Sequence, residues 1–529
     1  MTHHVACIGA GFVGGPLGVI IAYQCPTIRV SVVDKDQGRI DAWNSTSPPF
    51  YEPGLEDLLA TIRQRTIESS GPLEDFERQS IENNLSALQQ AQSNLQFSTD
   101  VNSAIQEADI IFLCVDTPTR SSGSGKGCAP DLTNVQSAVR TIAQVANSNK
   151  IVVEKSTIPC GTSAMLRDLL HACSCHQVRF EVLSNPEFMS EGNAIADLLS
   201  PARVLIGSQQ TPAGRDAAEV LAALYRKWIP PASILTMDCW SSELAKLAAN
   251  AMLAQRISNV NSLSAICEAT NANVDSVAVA CGFDPRIGSH MLQSGIGWGG
   301  SCFQKDILDL VYIARSLNLD HIANYWASVI EMNDYQQNRF LQRVVSCMYG
   351  SVAGRMISVL GFTFKENTSD TNNSPAISVV KGLLDEGAIV SIYDPMAPSS
   401  QILATLRLPE AELERLQICQ SPYEACYSAD AIIVGTGWDE FRTSSEHPVA
   451  EPYLTMNGTN SASLTPPLEK PGRLDWTQIV YRMREPKFVF DGRNVLDGEF
   501  LAKLGCRYVR VGSASAWDTV GPSNNKIYV

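Results

Sequence analysis

The chain has 529 residues, of which 45% are hydrophobic and 18% charged, a balance typical of a globular protein with more than one domain. Its 55 acidic and 40 basic residues give a formal net charge of −15, which disfavours binding to nucleic acid or to an anionic membrane surface. The sequence shows neither a secretory signal nor an apolar stretch long enough to span a membrane. Because its 15 cysteines are scattered, we expect reduced thiols and a cytoplasmic protein.

The first part of the chain predicts a parallel α/β domain. A helical pattern at Leu17–Tyr23 stands between two predicted strands, and the alternation of strand and helix continues, which is typical of a doubly wound sheet. Residues 63–95 are rich in Gln, Ser and Glu and predict an inserted, partly helical surface segment. Buried strands are predicted at Val5–Ile8, Arg29–Asp34, Ile110–Val115, Ile151–Glu154 and Glu181–Leu183.

The pattern becomes helical from about Ser241 to Tyr349, interrupted by a glycine-rich patch at Gly295–Gly300. A second alternating unit then begins, with a predicted helix at Ile377–Glu386. Its strands are predicted at Met356–Leu360, Val390–Asp394, Ala431–Val434 and Lys487–Phe490.

These patterns predict an α/β protein with two Rossmann-like, doubly wound domains joined by a central helical domain. We expect the N-terminal domain to span residues 1–238, the central domain 239–350 and the C-terminal domain 351–529. Residues 63–95 and 443–475 are predicted insertions, and residues 512–529 are a predicted flexible tail.

A glycine-rich turn, Gly9-Ala10-Gly11-Phe12-Val13-Gly14, follows the first predicted strand and opens the first helix. In such a turn the first Gly allows a tight bend, the second lets backbone amides approach a pyrophosphate, and the third packs helix against strand. Asp34 ends the next strand, where a carboxylate accepts hydrogen bonds from ribose hydroxyls and repels a 2′-phosphate. The motif therefore predicts NAD rather than NADP, although Arg39 is near enough in sequence to favour a phosphate.

Gly299 and Gly300 precede Cys302 and a helical pattern, which places this thiol near a helix N-terminus, where the helix dipole favours a thiolate. Asp306 follows one helical turn later on the same face. By themselves these residues fit either a nucleophilic cysteine with a nearby carboxylate or one more buried cysteine among many.

Two further segments carry groups suited to proton transfer. The turn after Ser184 offers the carboxylates of Glu187 and Glu191, which fit either acid–base catalysis or a solvated loop. Lys246 and Asn250 lie one turn apart in an Ala-rich helix and fit either stabilisation of an oxyanion or a lysine that extends to the surface. The 7 histidines show no spacing of metal ligands beyond an adjacent pair near the start, and we predict no metal site.

Several sequence blocks, in one order along the chain, resemble the UDP-glucose/GDP-mannose dehydrogenase family. The resemblance covers nearly all of the sequence apart from the predicted insertions and tail. The blocks are Tyr51-Glu52-Pro53-Gly54-Leu55, Glu154-Lys155-Ser156-Thr157, Ser184–Phe188, Lys246–Ala251, Gly299–Asp306 and Asp491-Gly492-Arg493.

The resemblance implies roles for five catalytic residues. Cys302 is the expected nucleophile, and Asp306 is expected to assist the attacking water. Glu187 is the expected proton donor and acceptor, and Lys246 is expected to stabilise negative oxygen with Asn250 beside it.

The resemblance also implies an NAD-binding N-terminal domain, a central domain for dimerisation and catalysis, and a C-terminal domain that binds the UDP-sugar. Cofactor contacts are expected from the glycine turn, Asp34, Arg39, Val115, Asp116, Thr117, Pro118, Thr119, Ser156, Thr157, Glu191 and Lys305. Substrate contacts are expected from Phe188, Met189, Arg286, Gln293, Ser294, Gly295, Ile296, Gly297, Trp298, Gly299, Phe364, Lys365 and Arg493. Because Arg286 is expected to reach the site of a neighbouring subunit, the resemblance implies a homodimer or a larger assembly.

The implied activity is the NAD-dependent, four-electron oxidation of UDP-glucose to UDP-glucuronate through a thiohemiacetal and a thioester on Cys302. The product would supply glycans that contain glucuronate and xylose. Three departures from the family pattern bear on affinity and sugar preference: Asn372 replaces an Arg, Gln293 a Lys and Trp298 a Phe. The alternatives are a dehydrogenase of GDP-mannose or UDP-N-acetyl-mannosamine, and a non-catalytic protein that binds nucleotide sugars.

Overall fold

The computed structural model describes residues 2–69, 93–174, 178–443 and 472–517. The chain divides into two compact units. Unit 1 comprises Met1–Ala251 and Lys305–Trp326, and unit 2 comprises Met252–Gln304 and Ala327–Val529.

In the part of unit 1 that the structure describes, eight strands form one sheet in the order β3-β2-β1-β4-β5-β6-β7-β8. The first six strands along the chain run parallel, β6 pairs with β7 in antiparallel fashion, and β7 pairs with β8 in parallel. The strands are β1 His4–Ile8, β2 Arg29–Val33, β3 Leu95–Ser98, β4 Ile110–Leu113, β5 Lys150–Glu154, β6 Phe180–Ser184, β7 Val204–Ser208 and β8 Ile234–Asp238.

The central strands of this sheet are buried on both faces, which explains why β1 and β4 are continuous apolar runs rather than alternating ones. Helices pack on both sides, and the sheet separates the apolar core into two clusters. Side-chain caps fix several helix starts: Asp36 accepts a hydrogen bond from the Arg39 amide, and Thr211 caps a helix that has Pro at its first position. The helices are α1 Gly14–Gln24, α2 Gln37–Asn44, α3 Leu55–Ser69, α4 Val101–Glu107, α5 Thr133–Val145, α6 Thr162–Cys173, α7 Ala194–Leu199 and α8 Pro212–Tyr225.

The helical middle of the chain contributes to both units. Because the units divide at Ala251, Gln304 and Trp326, three of its helices belong partly to each unit. These helices are α9 Cys239–Thr270, α10 Val274–Gly282, α11 Ser301–Ser316 and α12 Asp320–Cys347, of which α10 lies in unit 2 alone.

The described part of unit 2 contains a six-stranded parallel sheet in the order β11-β10-β9-β12-β13-β14. Its order repeats that of the first six strands of unit 1, in which the first strand lies at the centre. The strands are β9 Met356–Leu360, β10 Ile389–Tyr393, β11 Leu416–Ile418, β12 Ala431–Val434, β13 Phe488–Asp491 and β14 Arg507–Arg510. The helices are α13 Pro375–Asp385, α14 Ser399–Leu406, α15 Glu410–Leu413, α16 Pro422–Ala425, α17 Trp476–Arg482 and α18 Gly498–Lys503.

The predicted fold class is confirmed, since both sheets are doubly wound and every predicted strand is present within a few residues of its expected bounds. The sequence reasoning missed five strands: β3, β7, β8, β11 and β14. No helix within the described ranges is both long and apolar enough to cross a membrane.

Gly512 and Ser513, at the start of the predicted flexible tail, are hydrogen-bonded within unit 2. Gly512 donates to Glu268 Oε1 at 2.8 Å and accepts from the Val274 amide at 2.9 Å, while Arg343 donates to the Ser513 carbonyl at 2.8 Å. Residues 518–529 lie outside the described residues, as do 70–92 and 444–471 of the predicted insertions. Residues 63–69 of the first insertion belong to α3.

Candidate active site

The glycine turn of unit 1 joins β1 to α1 at the centre of the sheet. Gly9 has φ +106°, and a Cβ there would lie 2.4 Å from the Cys114 carbonyl oxygen. A Cβ at Gly14 would lie 2.0 Å from the Gly9 carbonyl oxygen, whereas a Cβ at Gly11 would meet nothing within 4 Å. The first and third glycines are therefore required by packing, and the second leaves open space above the turn.

Asp34 follows β2 and points its carboxylate at this turn. It accepts hydrogen bonds from the Ala10 amide at 2.8 Å, from the Asp36 amide at 3.0 Å and from Arg39 Nη1 at 3.0 Å. Burial alone would raise the pKa of Asp34, but these donors outweigh burial and lower it, so the group stays ionised. The structure thus brings together Ala10, Asp34 and Arg39 of the predicted cofactor set.

Two further loops of that set meet beyond β4 and β5. Ser156 Oγ donates to the Val115 carbonyl at 2.6 Å, and Thr117 Oγ1 donates to the Thr157 carbonyl at 2.8 Å. Asp116 and Pro118 are exposed and Thr119 is half-buried in the same segment. Because these loops leave the carboxyl ends of parallel neighbouring strands, they share one edge of the sheet with the glycine turn.

Glu187, the predicted base, lies three residues beyond β6 and is 7% exposed. Its Oε2 forms an ion pair with Lys155 Nζ at 3.2 Å, and its Oε1 accepts from the Met189 amide. Burial alone would lower the pKa of Lys155, but Glu187 outweighs burial and raises it, so the lysine is an ammonium. Lys155 also donates to Asn185 Oδ1 at 3.3 Å. The predicted base therefore has a buried positive partner that was not among the predicted site residues.

The loop after Glu187 is held by two acids from elsewhere in unit 1. Buried Glu52 accepts from the amides of Gly192 at 2.7 Å and Ala194 at 3.1 Å, and Asp197 accepts from the Ser190 amide at 2.9 Å. Glu191, predicted beside the cofactor, lies between these anchors. Glu52 belongs to the Tyr51–Leu55 block, which gave a family resemblance but no functional role.

Lys246 and Asn250 lie on α9, and both are buried. Lys246 Nζ lies 5.2 Å from the centre of the Phe188 ring, and Arg203 covers that ring at 4.0 Å. Asn250 Nδ2 donates to Asp306 Oδ2 at 2.6 Å, and Lys305 Nζ lies 3.0 Å from Asp306 Oδ1. Within unit 1 the structure thus groups Lys246 with Phe188 and Asn250 with Lys305 and Asp306.

Cys302 is exposed in the first turn of α11, one turn before Asp306 on the same helix. The two glycines before it pack within unit 2: a Cβ at Gly299 would lie 2.4 Å from the Asn373 carbonyl oxygen, and one at Gly300 would lie 3.0 Å from the Phe364 ring. Their lack of side chains lets the chain enter α11 beside Phe364. The Gly300 amide also donates to the carbonyl of Asn372, the position at which an Arg was expected.

Arg493 follows β13 and joins the predicted substrate residues of unit 2. Its guanidinium donates to the carbonyls of Gly435 at 2.7 Å, Gly297 at 3.0 Å and Phe364 at 3.5 Å. Burial lowers the pKa of Arg493 to about 10, which leaves it charged at neutral pH. Lys365 Nζ lies 5.6 Å from the Phe364 ring centre, so a second cation lies near this cluster.

The loop 294–298 is buried in unit 2 and held by hydrogen bonds at nearly every residue. Ser294 accepts from Asn494, Gly295 bonds to Asn261 and Gln336, and Ile296 donates to the Gly492 carbonyl. The Trp298 indole donates to Ser258 Oγ at 3.0 Å, which satisfies the one polar group that Trp adds over Phe. Gln293 is exposed, and Arg286, with an 87% exposed side chain, pairs with Asp284.

Sequence profiles of one family match almost the whole chain. The NAD binding domain of the UDP-glucose/GDP-mannose dehydrogenase family matches residues 3–80 and 73–229, its central domain 240–335 and its UDP binding domain 358–460. The chain belongs to the UDP-glucose/GDP-mannose dehydrogenase family. It is an NAD-dependent dehydrogenase, and the open space at Gly11 together with the ionised Asp34 fits that cofactor.

Relatives within this dehydrogenase family match the chain end to end. UDP-glucose 6-dehydrogenase of Drosophila melanogaster is 44% identical over 529 residues, covering 98% of this chain and 99% of the relative. UDP-glucose 6-dehydrogenase 1 of Oryza sativa is 44% identical, covering 97% and 98%. The solved UDP-glucose dehydrogenase of Pyrobaculum islandicum shares 26% identity at a TM-score of 0.74, covering 97% of this chain and 98% of that one.

Sequence reasoning about this family member missed Lys155 and Glu52 as parts of the candidate site. Both belong to blocks on which the family resemblance rests. The sequence signal that could have identified them was a charged residue just after a buried strand for Lys155 and in a tight turn for Glu52. Among the residues that the structure describes, no cluster of His, Cys, Asp and Glu is arranged to hold a metal ion.

Proposed function

We propose that this chain oxidises UDP-glucose to UDP-glucuronate with two molecules of NAD. The observation that carries the proposal is the 44% identity to UDP-glucose 6-dehydrogenases over at least 97% of the chain. An exposed Cys302 at the start of α11 supports it, because a simple two-electron alcohol dehydrogenase needs no nucleophilic thiol.

Residues 1–238 form the NAD-binding domain in this proposal, 239–350 the central domain for dimerisation and catalysis, and 351–529 the UDP-sugar domain. The residues that would hold the cofactor are the glycine turn, Asp34, Val115–Thr119, Ser156 and Thr157 at the carboxyl edge of β1, β2, β4 and β5, together with Glu191 and Lys305. The uridine nucleotide is bound by Phe364, Lys365 and Arg493, and the sugar by residues 293–299 with Phe188 and Met189.

The first oxidation begins when Glu187 takes the proton of the sugar's primary hydroxyl, acting as general base. The Lys155 ammonium lies 3.2 Å from Glu187 Oε2 and holds this side chain in place. Lys246 and Asn250 stabilise the negative oxygen that develops on the reacting carbon. NAD, when bound, accepts one hydride in each of the two oxidations.

Cys302 then attacks the aldehyde carbon as a thiolate, and its position in the first turn of a 16-residue helix favours that ionised form. Glu187 returns its proton to the aldehyde oxygen, which gives a thiohemiacetal. In the second oxidation Glu187 takes this proton again, the reacting carbon gives up a hydride, and a thioester results. Water attacks the thioester carbonyl with Asp306 accepting its proton, the carbon–sulfur bond breaks, and Cys302 is regenerated as the acid leaves.

We further propose that the enzyme works as a homodimer or larger assembly in the cytoplasm, where its product supplies glycans containing glucuronate and xylose. The 14 cysteines within the described residues are all free, as suits a reducing compartment. Arg286 and the 82% exposed side chain of Phe283 suit a surface that a second subunit covers.

The test is the number of NADH molecules formed per UDP-glucose, with GDP-mannose and UDP-N-acetyl-mannosamine as competing substrates. We expect two NADH and UDP-glucuronate, and at least about a thousandfold loss in Cys302→Ser, because a hydroxyl is a far poorer nucleophile than a thiolate. The matched control is Cys128→Ser, a half-buried thiol outside the motifs, which should keep full activity.

Two outcomes would contradict the proposed mechanism. Cys302→Ser could retain near-normal acid production at two NADH per sugar, or the native enzyme could stop at one NADH and release the aldehyde. Faster turnover of GDP-mannose or UDP-N-acetyl-mannosamine would instead reassign the substrate and leave the mechanism intact.

A further inference from the structure

Asp309 is a buried carboxylate of α11 that the proposed mechanism does not use. It lies one turn after Lys305 and three residues after Asp306, the proposed acceptor of the water proton. Lys305 Nζ lies 3.0 Å from Asp306 Oδ1 and 3.7 Å from Asp309 Oδ2. One ammonium therefore lies within ion-pair distance of two carboxylates.

Both carboxyl groups are buried, so their charges depend on neighbouring groups rather than on water. Asp306 and Asp309 are both 0% exposed, so the charge on either is poorly solvated and depends on Lys305. Asn250 reaches the cluster from α9 and binds the other oxygen of Asp306 at 2.6 Å. Asn250 does not titrate, whereas Lys305, Asp306 and Asp309 are charged or titratable members of the cluster.

The protonation state of Asp309 changes near neutral pH. Burial raises the pKa of Asp309 to about 7, although Lys305 opposes this shift and Asp306 adds to it. Below this pH Asp309 is a neutral acid, and above it a carboxylate that competes for the lysine.

We propose that Asp309 is a positioning residue for the water step, which it controls by sharing the Lys305 ammonium with Asp306. When Asp309 is ionised, Lys305 is divided between two carboxylates, and Asp306 is left a stronger proton acceptor. When Asp309 is protonated, it no longer competes for Lys305, and the closer pairing of this lysine with Asp306 makes Asp306 a poorer proton acceptor. This inference rests on the role of Asp306 in the proposed function.

The step concerned needs no oxidant. Water forms a bond from its oxygen to the thioester carbon, its proton goes to Asp306, and the carbon–sulfur bond breaks with the electron pair on Cys302. A weaker Asp306 slows proton removal, so the thioester accumulates on the enzyme. The proposal therefore predicts that the water step of the native enzyme accelerates as the pH rises through about 7.

The experiment follows the Cys302 adduct by intact-protein mass after acid quench, during turnover of UDP-glucose and NAD at pH 6 to 9. We expect the native enzyme to hold more adduct at pH 6 than at pH 8. Asp309→Asn is nearly isosteric and should hold the adduct at every pH, with turnover at pH 8 reduced by about three- to tenfold. Binding of NADH, measured by fluorescence, should be unchanged, which confirms that the variant is folded.

Two controls separate electrostatics from packing. Leu310→Ala removes a buried neighbour of Asp309 on the same helix and should lower the melting temperature yet keep the acceleration with pH. Asp309→Glu keeps a carboxylate and should restore the acceleration.

A native water step with the same rate at pH 6 and pH 8 would overturn the inference without any variant. A pH-dependent step that persists in folded Asp309→Asn would also overturn it. A native enzyme that forms no Cys302 adduct and one NADH per sugar would instead contradict the proposed function.

Discussion

At the residue scale, the predicted base of the candidate site pairs with a buried lysine that the sequence did not reveal. Glu187 is predicted from its turn, but Lys155 lies 32 positions earlier, and nothing local connects them. They meet because β5 and β6 are parallel neighbours in register from Lys150 with Phe180 to Glu154 with Ser184, so the residues just beyond both strands leave the same edge. Pairs of this kind depend on strand order, which a single sequence does not specify.

We expect one carboxylate, that of Asp34, to set the preference for NAD over NADP. Asp34 is ionised and held by the Ala10 and Asp36 amides, so it should bond the ribose diol and repel a 2′-phosphate. We expect the native enzyme to use NAD at least about tenfold better than NADP, the scale of one charge-assisted hydrogen bond. In Asp34→Ala this ratio of kcat/KM should shrink toward one, because Arg39 then faces the 2′ position without its partner.

The control for this prediction is Asp36→Asn, which keeps an oxygen that can accept from the Arg39 amide and cap α2. It should retain the native ratio. Equal use of NAD and NADP by the native enzyme would show that Asp34 does not bind the ribose.

At the scale of elements, α9 is fastened to the start of α6 by a carboxylate. Glu243, in the first turns of α9, accepts from the amides of Gly161 at 2.5 Å and Ser163 at 2.8 Å. These amides stand at the N-terminus of α6, where the helix itself supplies no acceptor for them. Ser163 Oγ lies 2.5 Å from Glu243 and 2.8 Å from Glu154 Oε2. Since α9 also carries Lys246 and Asn250, this contact anchors the first turns of the helix that supplies two proposed catalytic groups.

The buried carboxyl of Glu154 makes the free energy of unfolding depend on pH. Burial, and then the Glu243 carboxylate, raise the pKa of Glu154 well above 4.5, so the folded chain holds a proton that the unfolded chain releases. A carboxyl whose pKa is raised by folding stabilises the fold when the pH is below its pKa in the unfolded chain. This contribution is lost as the pH rises through its pKa in the folded chain. Glu154→Gln should therefore lose less melting temperature between pH 5 and pH 8 than the native chain, by about 2 °C or more.

Calorimetry at both pH values measures this difference. The matched control is Glu219→Gln on α8, an exposed residue whose pKa is lowered by Arg226, and its melting temperature should follow the native slope. Parallel slopes for Glu154→Gln and the native chain would mean that Glu154 is already ionised in the fold.

Most of the strands that were not predicted lack the sequence pattern of a buried strand, each for its own reason. β11 has three residues, β8 is an edge strand with two exposed side chains, and β14 begins and ends in Arg, so none shows a buried apolar run. β7 is apolar but includes Gly207, where a Cβ would lie 2.6 Å from Ser242, and a short run of that kind fits helix or strand equally. The long apolar strands at the two sheet centres were all predicted.

At the scale of the whole molecule, the predicted site residues divide between the units along the chain. Unit 1 contains the cofactor set with Glu187, Lys246, Asn250 and Asp306, and unit 2 contains Cys302, Phe364, Lys365 and Arg493. The helices α9 and α11 belong partly to each unit, so the proposed catalytic residues lie on helices whose backbone continues through both units. Local sequence patterns singled out Asp34, Glu187, Lys246, Asn250, Cys302 and Asp306, whereas Phe364, Lys365 and Arg493 came from the family resemblance. The partners Lys155, Glu52 and Asp309 required the fold.

The last prediction concerns assembly and the role of Arg286. This residue follows α10, its side chain is 87% exposed, and it pairs with Asp284 two positions earlier, so it is available to a second subunit. If it completes a neighbour's substrate site, Arg286→Ala alone should raise the KM for UDP-glucose strongly, and Cys302→Ser alone should be inactive. A mixed dimer of the two variants contains one site with its own Cys302 and with Arg286 supplied by the other chain.

Refolding or co-expressing an equal mixture should therefore recover activity, up to about one quarter of the native value if subunits pair at random and dimers are the active unit. Each mixed dimer then has one competent site of two, and half of all dimers are mixed. The measurement is NADH production at a UDP-glucose concentration where Arg286→Ala alone is nearly silent. If Arg286 served its own subunit, no site in the mixture would hold both residues, and activity would stay at the sum of the separate variants. A fully active monomer in light scattering at the assay concentration would exclude the exchange altogether.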